Sequence, residues 1–303
     1  MTLVVTVRAA AKVNLHLGVG RRRADGFHPL ATVYQTLSLH DDVTVCERPR
    51  WSVGMTCEED IDRRDFPGAD DNIAVRAGRM LASHHGLDRA AEITVRKSIP
   101  IAGGLAGGSA DAAAALVALD RLWDLQTSDE DMLALAARLG SDVPFALLGG
   151  TALGRGRGEQ VTPLEDEATR WWVLVPSRSG LSTPAVYRHF DELHPHAPEE
   201  PGAPEAVLAA LEETDSRALA RHLHNDLEPA AIDLRPELGD LLEAGEEAGA
   251  LRGLLSGSGP TCLFLCADRA SAERVRTSLL AAGHPQVLVA LGPVAGAHVV
   301  EYV

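Results

Sequence analysis

The sequence predicts a protein of mixed helix and strand, organised around a strand that delivers the chain to a glycine loop and a helix that leaves it. The opening segments LVVTV and VNLHLGV alternate in polarity and are rich in β-branched side chains, as strands are. AEITVRKSIP reads as another strand, ending at a proline, and PIAGGLAGGSADAAAAL then runs four glycines and a serine into a block of alanines. With 303 residues and 46% hydrophobic content, the chain can bury a sizeable core in one large or two ordinary domains.

The elements follow in chain order. RAAAK is expected to turn the chain between the first two strands. DNIAVRAGRMLASHHG reads as a helix with an Asp/Asn start and a Gly stop, and Ser109 is expected to cap a helix from Ala110 to Trp123. Glu192 to Glu205 (ELHPHAPEEPGAPE), rich in proline and acid, reads as a surface loop. In TCLFLCAD, Cys262 and Cys266 lie two strand periods apart and are expected to share one buried face. Together with Cys46 and Cys57 they lack the spacings of a zinc site or redox pair, so neither disulfides nor structural metal is expected.

Composition narrows the functional classes. A formal net charge of -15 disfavours nucleic acid, whose binding relies on many Lys and Arg neutralising phosphates. An apolar run of spanning length is missing and MTLVVTVRAAAK does not read as a leader, so a cytoplasmic protein with no membrane partner is expected.

The glycine loop is the strongest local signal. Unpaired N–H groups of a first helical turn, beside a loop without side chains, form a cradle that a polyphosphate can approach closely. Each such group contributes only about 0.3 to 2 kcal/mol per charge, so several must act together. Gly103 and Gly108 have the separation of a Walker loop, but Ser109 and Ala110 stand where Lys and Ser/Thr should follow. The dinucleotide fingerprint fails too, because Ala106 occupies the place of its second glycine. A tight turn with close helix packing accounts for the glycines equally well.

Several segments together carry a resemblance. AAAKVNLHLGV, RADGFHPL, PIAGGLAGGSADAAAALVALDRLW, LGSDVPFALLGGTALGRGRGEQVTPL, NDLEPAAIDLRPEL and LLSGSGPTCLFL, in this order, resemble the GHMP kinase superfamily over nearly the whole chain. RADGFH and the overall spacing are similar to its branch that phosphorylates a cytidine diphosphate alcohol in the non-mevalonate isoprenoid pathway. The resemblance implies an α+β, two-domain fold: an N-terminal domain (1–164) with the phosphate loop and catalytic residues, and a ferredoxin-like C-terminal domain (165–303). It implies phosphoryl transfer from ATP, assisted by Mg2+, to the carbon-2 hydroxyl of that alcohol, by a monomer or weak homodimer.

The same resemblance assigns residues. Pro100, Ala102, Gly103, Gly104, Leu105, Ala106, Gly107, Gly108, Ser109 and Ala110 would hold the ATP phosphates, with the Ser109 hydroxyl also a candidate metal ligand. Lys12 would replace the charge missing from the loop, and Asp142 in GSDVPF would orient or deprotonate the acceptor hydroxyl. Taken alone, Asp142 reads as well as a helix cap. Phe27, His28 and Tyr187 would stack on and hydrogen-bond to the cytosine, and Phe27 stands where the family often has Tyr. Asn14 would bind the methylerythritol hydroxyls, and Asn72 would lie near the nucleotide unless it only caps a helix. The loop Ser256 to Pro260 would close beside the acceptor and the phosphates unless it is only a turn joining a helix to a strand; independently of the resemblance, the charge of Arg21, Arg22 and Arg23 would draw an anionic substrate if they are not a solvated face. Another GHMP acceptor such as mevalonate, homoserine or a sugar, or a regulator without turnover, are the competing readings.

Overall fold

A computed structural model describes residues 3–57, 66–101, 103–177 and 179–302. The chain starts with a long antiparallel pair, β1 (Val4–Val19) and β2 (Leu30–Arg48). β3 (Ser52–Cys57), α1 (Ile73–His84) and β4 (Ala90–Lys97) follow, β4 pairing antiparallel with β2 and parallel with β3. The glycine loop then opens α2 (Gly107–Trp123), succeeded by α3 (Asp129–Leu139), α4 (Val143–Leu148) and the hairpin of β5 (Thr151–Arg155) and β6 (Gln160–Leu164).

Next come β7 (Arg170–Val175), α5 (Thr183–Leu193), α6 (Glu205–Leu211), α7 (Ser216–Ala220) and the short β8 (His224–Asn225), which lies parallel to β1. The chain ends with α8 (Glu228–Leu234), α9 (Glu237–Glu247), β9 (Arg252–Leu255), β10 (Cys262–Cys266), α10 (Arg269–Ala281), β11 (Leu288–Gly292) and β12 (His298–Tyr302).

Two sheets organise these elements. The first has the order β12-β1-β2-β4-β3, with β5 and β6 continuing from β2. The second, β11-β7-β10-β9, is wholly antiparallel. Numbered along the chain, its strands run 4-1-3-2 across the sheet, the ferredoxin-like arrangement. β12 returns to the first sheet and pairs antiparallel with β1.

Alternation in β10 explains how the sheets are joined. Cys262, Phe264 and Cys266 point into one cluster with Val186, Ala231 and Val275 from α5, α8 and α10. Leu263 and Leu265 point the other way, into the core that holds the alanines of α2 and the inner side chains of β1, β2 and β4. The second sheet is therefore covered on both faces. Cys46, Cys262 and Cys266 are free thiols, and burial pushes the pKa of Cys262 and Cys266 upward.

Two local expectations change. RAAAK does not turn: β1 passes straight through it, with register shifts after Ala10 and after Asn14. Ala9, Ala10 and Ala11 are buried, and α2 packs on this strand, so the small residues serve close packing of helix on sheet. Nor does Ser109 cap α2, because the helix already begins at Gly107 behind Ala106, which adopts a left-handed conformation.

The packing of α9 on β10 yields a test. A Cβ at Gly245 would lie 2.0 Å from the Phe264 ring. Gly245→Ala should cost about 1 to 3 kcal/mol, the usual penalty of overpacking, read as a lowered urea midpoint; an unchanged midpoint would show that α9 moves off the sheet freely.

Candidate active site

A cavity of about 830 Å³ lies between the glycine loop, the second half of β1 and the face of α5. Its wall includes Lys12, Asn14, Asn72, Pro100, Gly103, Gly104, Ala106, Gly107, Gly108 and Asp142 at one end and Phe27, His28 and Tyr187 at the other. Leu105 and Ala110 turn their side chains into the core, and Ser109 is half-buried but does not line the cavity wall. Ala102 lies outside the described residues.

Lys12 and Asn14 share a strand face, and the Lys12 Nζ donates to Asn14 Oδ1 at 2.8 Å. Asn14 Nδ2 donates to Thr32 Oγ1 at 2.7 Å, and Thr32 in turn donates to the His16 carbonyl, so the amide is held from both sides. Asp142 occupies the N-cap position of α4 but makes no capping hydrogen bond. Its carboxylate instead faces Lys12, with Oδ2 3.8 Å from Nζ. The Lys12 side chain is 9% exposed and that of Asp142 31%, so the carboxylate opens to the cavity while the ammonium lies behind it. The Lys12 Nζ also lies 5.3 Å from the Tyr34 ring centroid. Burial raises the pKa of the Tyr34 and Tyr187 hydroxyls, and Asp142 adds to both shifts, so both remain protonated.

The phosphate loop is shaped by its backbone. The first i→i−4 bond of α2 runs from Ala110 N to the Ala106 carbonyl at 2.9 Å, which leaves the amides of Gly107, Gly108 and Ser109 outside the helical ladder. The Leu105 carbonyl accepts from Lys12 N at 3.1 Å, tying the loop to β1. Asn72 both lines the cavity and caps α1, its Oδ1 accepting from Ala74 N at 2.9 Å.

At the far end, His28 Nε2 lies 2.8 Å from Asp191 Oδ1, and its ring packs on Tyr187 at 4.8 Å between centroids. Phe27 is 50% exposed, unlike a core aromatic. The basic run divides: Arg21 pairs with Glu199 and Arg23 with Asp25, so only Arg22 of the three lines the cavity.

One feature escaped the sequence reading. Lys97 lies buried beneath the loop, its Nζ 2.5 Å from Asp41 Oδ2 and 3.0 Å from Asp111 Oδ2. Asp41 also accepts from the backbone N–H groups of Ser98 and Ile99, which fixes the approach to the loop. Burial opposes the Lys97 charge, but Asp111 and Asp41 outweigh it and raise its pKa. Burial pushes the Asp111 carboxyl up to about 8 against the pull of Lys97. Asp111 Oδ1 is buried without a hydrogen-bond partner among the described residues, and both Asp111 and Lys97 line the cavity. The signal was present in the alternation of Ala91, Ile93, Val95 and Lys97, all on the buried face of β4.

Comparison with known proteins gives this site its class. Residues 72–150 match the GHMP kinases N terminal domain and residues 207–285 the GHMP kinases C terminal domain. The fold is that of a GHMP kinase. Among curated relatives, the 4-diphosphocytidyl-2-C-methyl-D-erythritol kinase of Nocardioides sp. is 64% identical over 296 residues, covering 98% of this chain and 100% of its own. That of Salinispora arenicola is 51% identical over 297 residues, covering 97% of this chain and 93% of its own. A crystal structure of 4-(cytidine 5'-diphospho)-2C-methyl-D-erythritol kinase superposes with a TM-score of 0.75 at 34% identity, over 95% of this chain and 99% of that one. The chain belongs to the 4-diphosphocytidyl-2-C-methyl-D-erythritol kinase family.

Removing the cation from the buried cluster leaves Asp41 and Asp111 facing each other without it. Lys97→Met should therefore cost about 3 kcal/mol of stability, measured by urea denaturation; a loss below about 1 kcal/mol would mean that the cluster is open to water.

Proposed function

We propose that the protein transfers the γ-phosphoryl group of ATP to the 2-hydroxyl of 4-diphosphocytidyl-2-C-methyl-D-erythritol, giving the 2-phosphate and ADP, in the non-mevalonate isoprenoid precursor pathway. The observation that carries this reading is one cavity in which the Lys12–Asp142 pair stands between a phosphate-binding loop and a His–Tyr–Phe set suited to a base. We place ATP along Asn72 and the loop from Pro100 to Ala110, with the free amides of α2 on its phosphates. The cytosine lies against Phe27, His28 and Tyr187, where the His28–Asp191 contact fixes the imidazole.

In this arrangement Asn14 and Asp142 orient the acceptor hydroxyl, and Asp142 accepts its proton as the bond to phosphorus forms. Lys12 neutralises charge that develops on the transferred group. A loose transition state asks mainly for such positioning and charge neutralisation, and only late for proton removal.

Magnesium fits this end of the cavity. Among the described residues, Asp111 offers a carboxylate oxygen with no partner beside Gly107 and Gly108, a hard oxygen of the kind that accompanies substrate phosphates, while the Ser109 hydroxyl stands off the cavity wall and would join it only by turning inward. When bound there, the ion would neutralise the β- and γ-phosphate oxygens.

Residues 1–164 would act as the ATP and catalytic unit and 165–303 as the second unit that completes the acceptor side. A cytoplasmic monomer or weak homodimer is the form we expect to act. No helix among the described residues is long and apolar enough to cross a membrane.

ADP release should be seen with ATP, magnesium and the cytidine compound, and not with mevalonate, homoserine or galactose. Turnover with one of the latter would keep the fold and discard the base site. Asp142→Asn should lower kcat by two to four orders of magnitude, roughly the range of general-base catalysis, while ATP affinity changes little; an unchanged kcat would remove Asp142 from the chemistry.

A further inference from the structure

The turn between β5 and β6 brings an unexpected cation to the acceptor end of the cavity. Its backbone is held on several sides: Gly156 accepts from Leu30 N at 2.7 Å, Gly158 N donates to Arg155 O at 2.9 Å, and Arg157 N donates to Glu159 Oε2 at 2.6 Å. The Gly158 carbonyl also accepts from the Tyr34 hydroxyl at 3.4 Å. From this fixed base the Arg157 side chain reaches over the Phe27 ring, its Cζ 4.8 Å from the centroid.

Arg157 is half-buried, yet among the described residues its guanidinium makes no hydrogen bond and no ion pair. Two nearby carboxylates are already engaged: that of Asp25, which feels the Arg157 charge, by the Arg23 fork and by Phe27 N, and that of Glu159 by Arg157 N. Arg157 and Phe27 both line the cavity. A planar cation with its N–H donors unused, laid beside a half-exposed aromatic ring, matches a ligand that carries both a flat ring and adjacent phosphate oxygens.

We infer that Arg157 is a specificity-determining, substrate-binding residue that grips the nucleoside diphosphate end of the acceptor beside Phe27. This rests on the functional reading given above and adds a residue to it. The Arg157 plane borders the slot for the pyrimidine, and its N–H groups donate to the diphosphate. In a chain of formal net charge -15, such a cation also offsets the repulsion that an anionic acceptor meets on entry.

The test compares wild type, Arg157→Gln and Arg157→Lys in steady-state kinetics with ATP, magnesium and 4-diphosphocytidyl-2-C-methyl-D-erythritol, together with calorimetric titration of cytidine 5'-diphosphate. Arg157→Gln should raise KM for the acceptor and Kd for cytidine 5'-diphosphate by about tenfold or more, as for a lost hydrogen bond to a charged group. Its kcat and its KM for ATP should stay near wild type. Arg157→Lys, which keeps the charge and loses the planar fork, should fall between the two. The KM of the wild type should also rise more steeply with salt than that of Arg157→Gln. Unchanged KM and Kd in Arg157→Gln, with the wild type active, overturn this inference and leave the functional reading intact. Equal losses for both substrates show a disturbed turn and overturn it as well. Absence of wild-type turnover with the cytidine compound overturns the functional reading, and this inference with it.

Discussion

Two glycine-rich turns, far apart in the chain, touch through their backbones, and the cavity depends on that contact. Ser256 Oγ donates to the Gly104 carbonyl at 2.9 Å, and a Cβ on Gly104 would meet the carbonyls of Ser256 and Gly259 at 2.6 and 2.9 Å. Gly104 also has a φ of 78°, so conformation and space both demand glycine there. Asn225 braces the second turn from behind, its Nδ2 donating to Leu255 O at 3.0 Å and to Gly257 O at 2.7 Å. Lys12 N braces the first turn through Leu105. The glycine loop, Lys12 and the turn from Ser256 to Pro260 thus share one rigid frame, so that two ligands bound along the cavity would be held at a fixed separation, which is what effective-molarity catalysis requires.

The second constraint is charge below the loop. A cradle of amides needs a helix N-terminus brought close to β1 and β4, and the alanines of α2 allow that approach. The cost is a buried ion cluster, in which Lys97 is shared by Asp41 and Asp111. The cluster also sets backbone, because Asp41 holds Ser98 and Ile99 where β4 hands the chain to the loop. Lys97 reaches to within 3.0 Å of where a Gly107 side chain would begin, which ties the identity of that glycine to the cluster.

Most of the first half was legible because its signals are local. Glycine, proline and period-two alternation mark β4, the loop and α2, and the motifs around Lys12 and Asp142 carry the family's pattern. What remained hidden depends on tertiary packing. RAAAK looks like a turn to a reader of single residues, but the alanines make a seat for a helix. That Asp142 leaves its helix uncapped, and that Glu199 comes to neutralise Arg21, follows only from which segments arrive beside them, whereas the Arg23–Asp25 pair is local to the RRRADG run. Asp41 and Asp111 are brought to one lysine from strand and helix positions whose spacing carries no short motif.

The return of the last strand has a consequence for synthesis. β12 pairs Tyr302 with Val5 and His298 with Arg8, almost the full length of the sequence apart. While the chain is being made, that edge of β1 stays uncovered until His298–Tyr302 have left the ribosome, and an uncovered strand edge is a template for pairing with other chains. Early folding therefore proceeds with an open flank, and closure of the first sheet at this edge must wait for the strand that lies farthest from β1 along the chain.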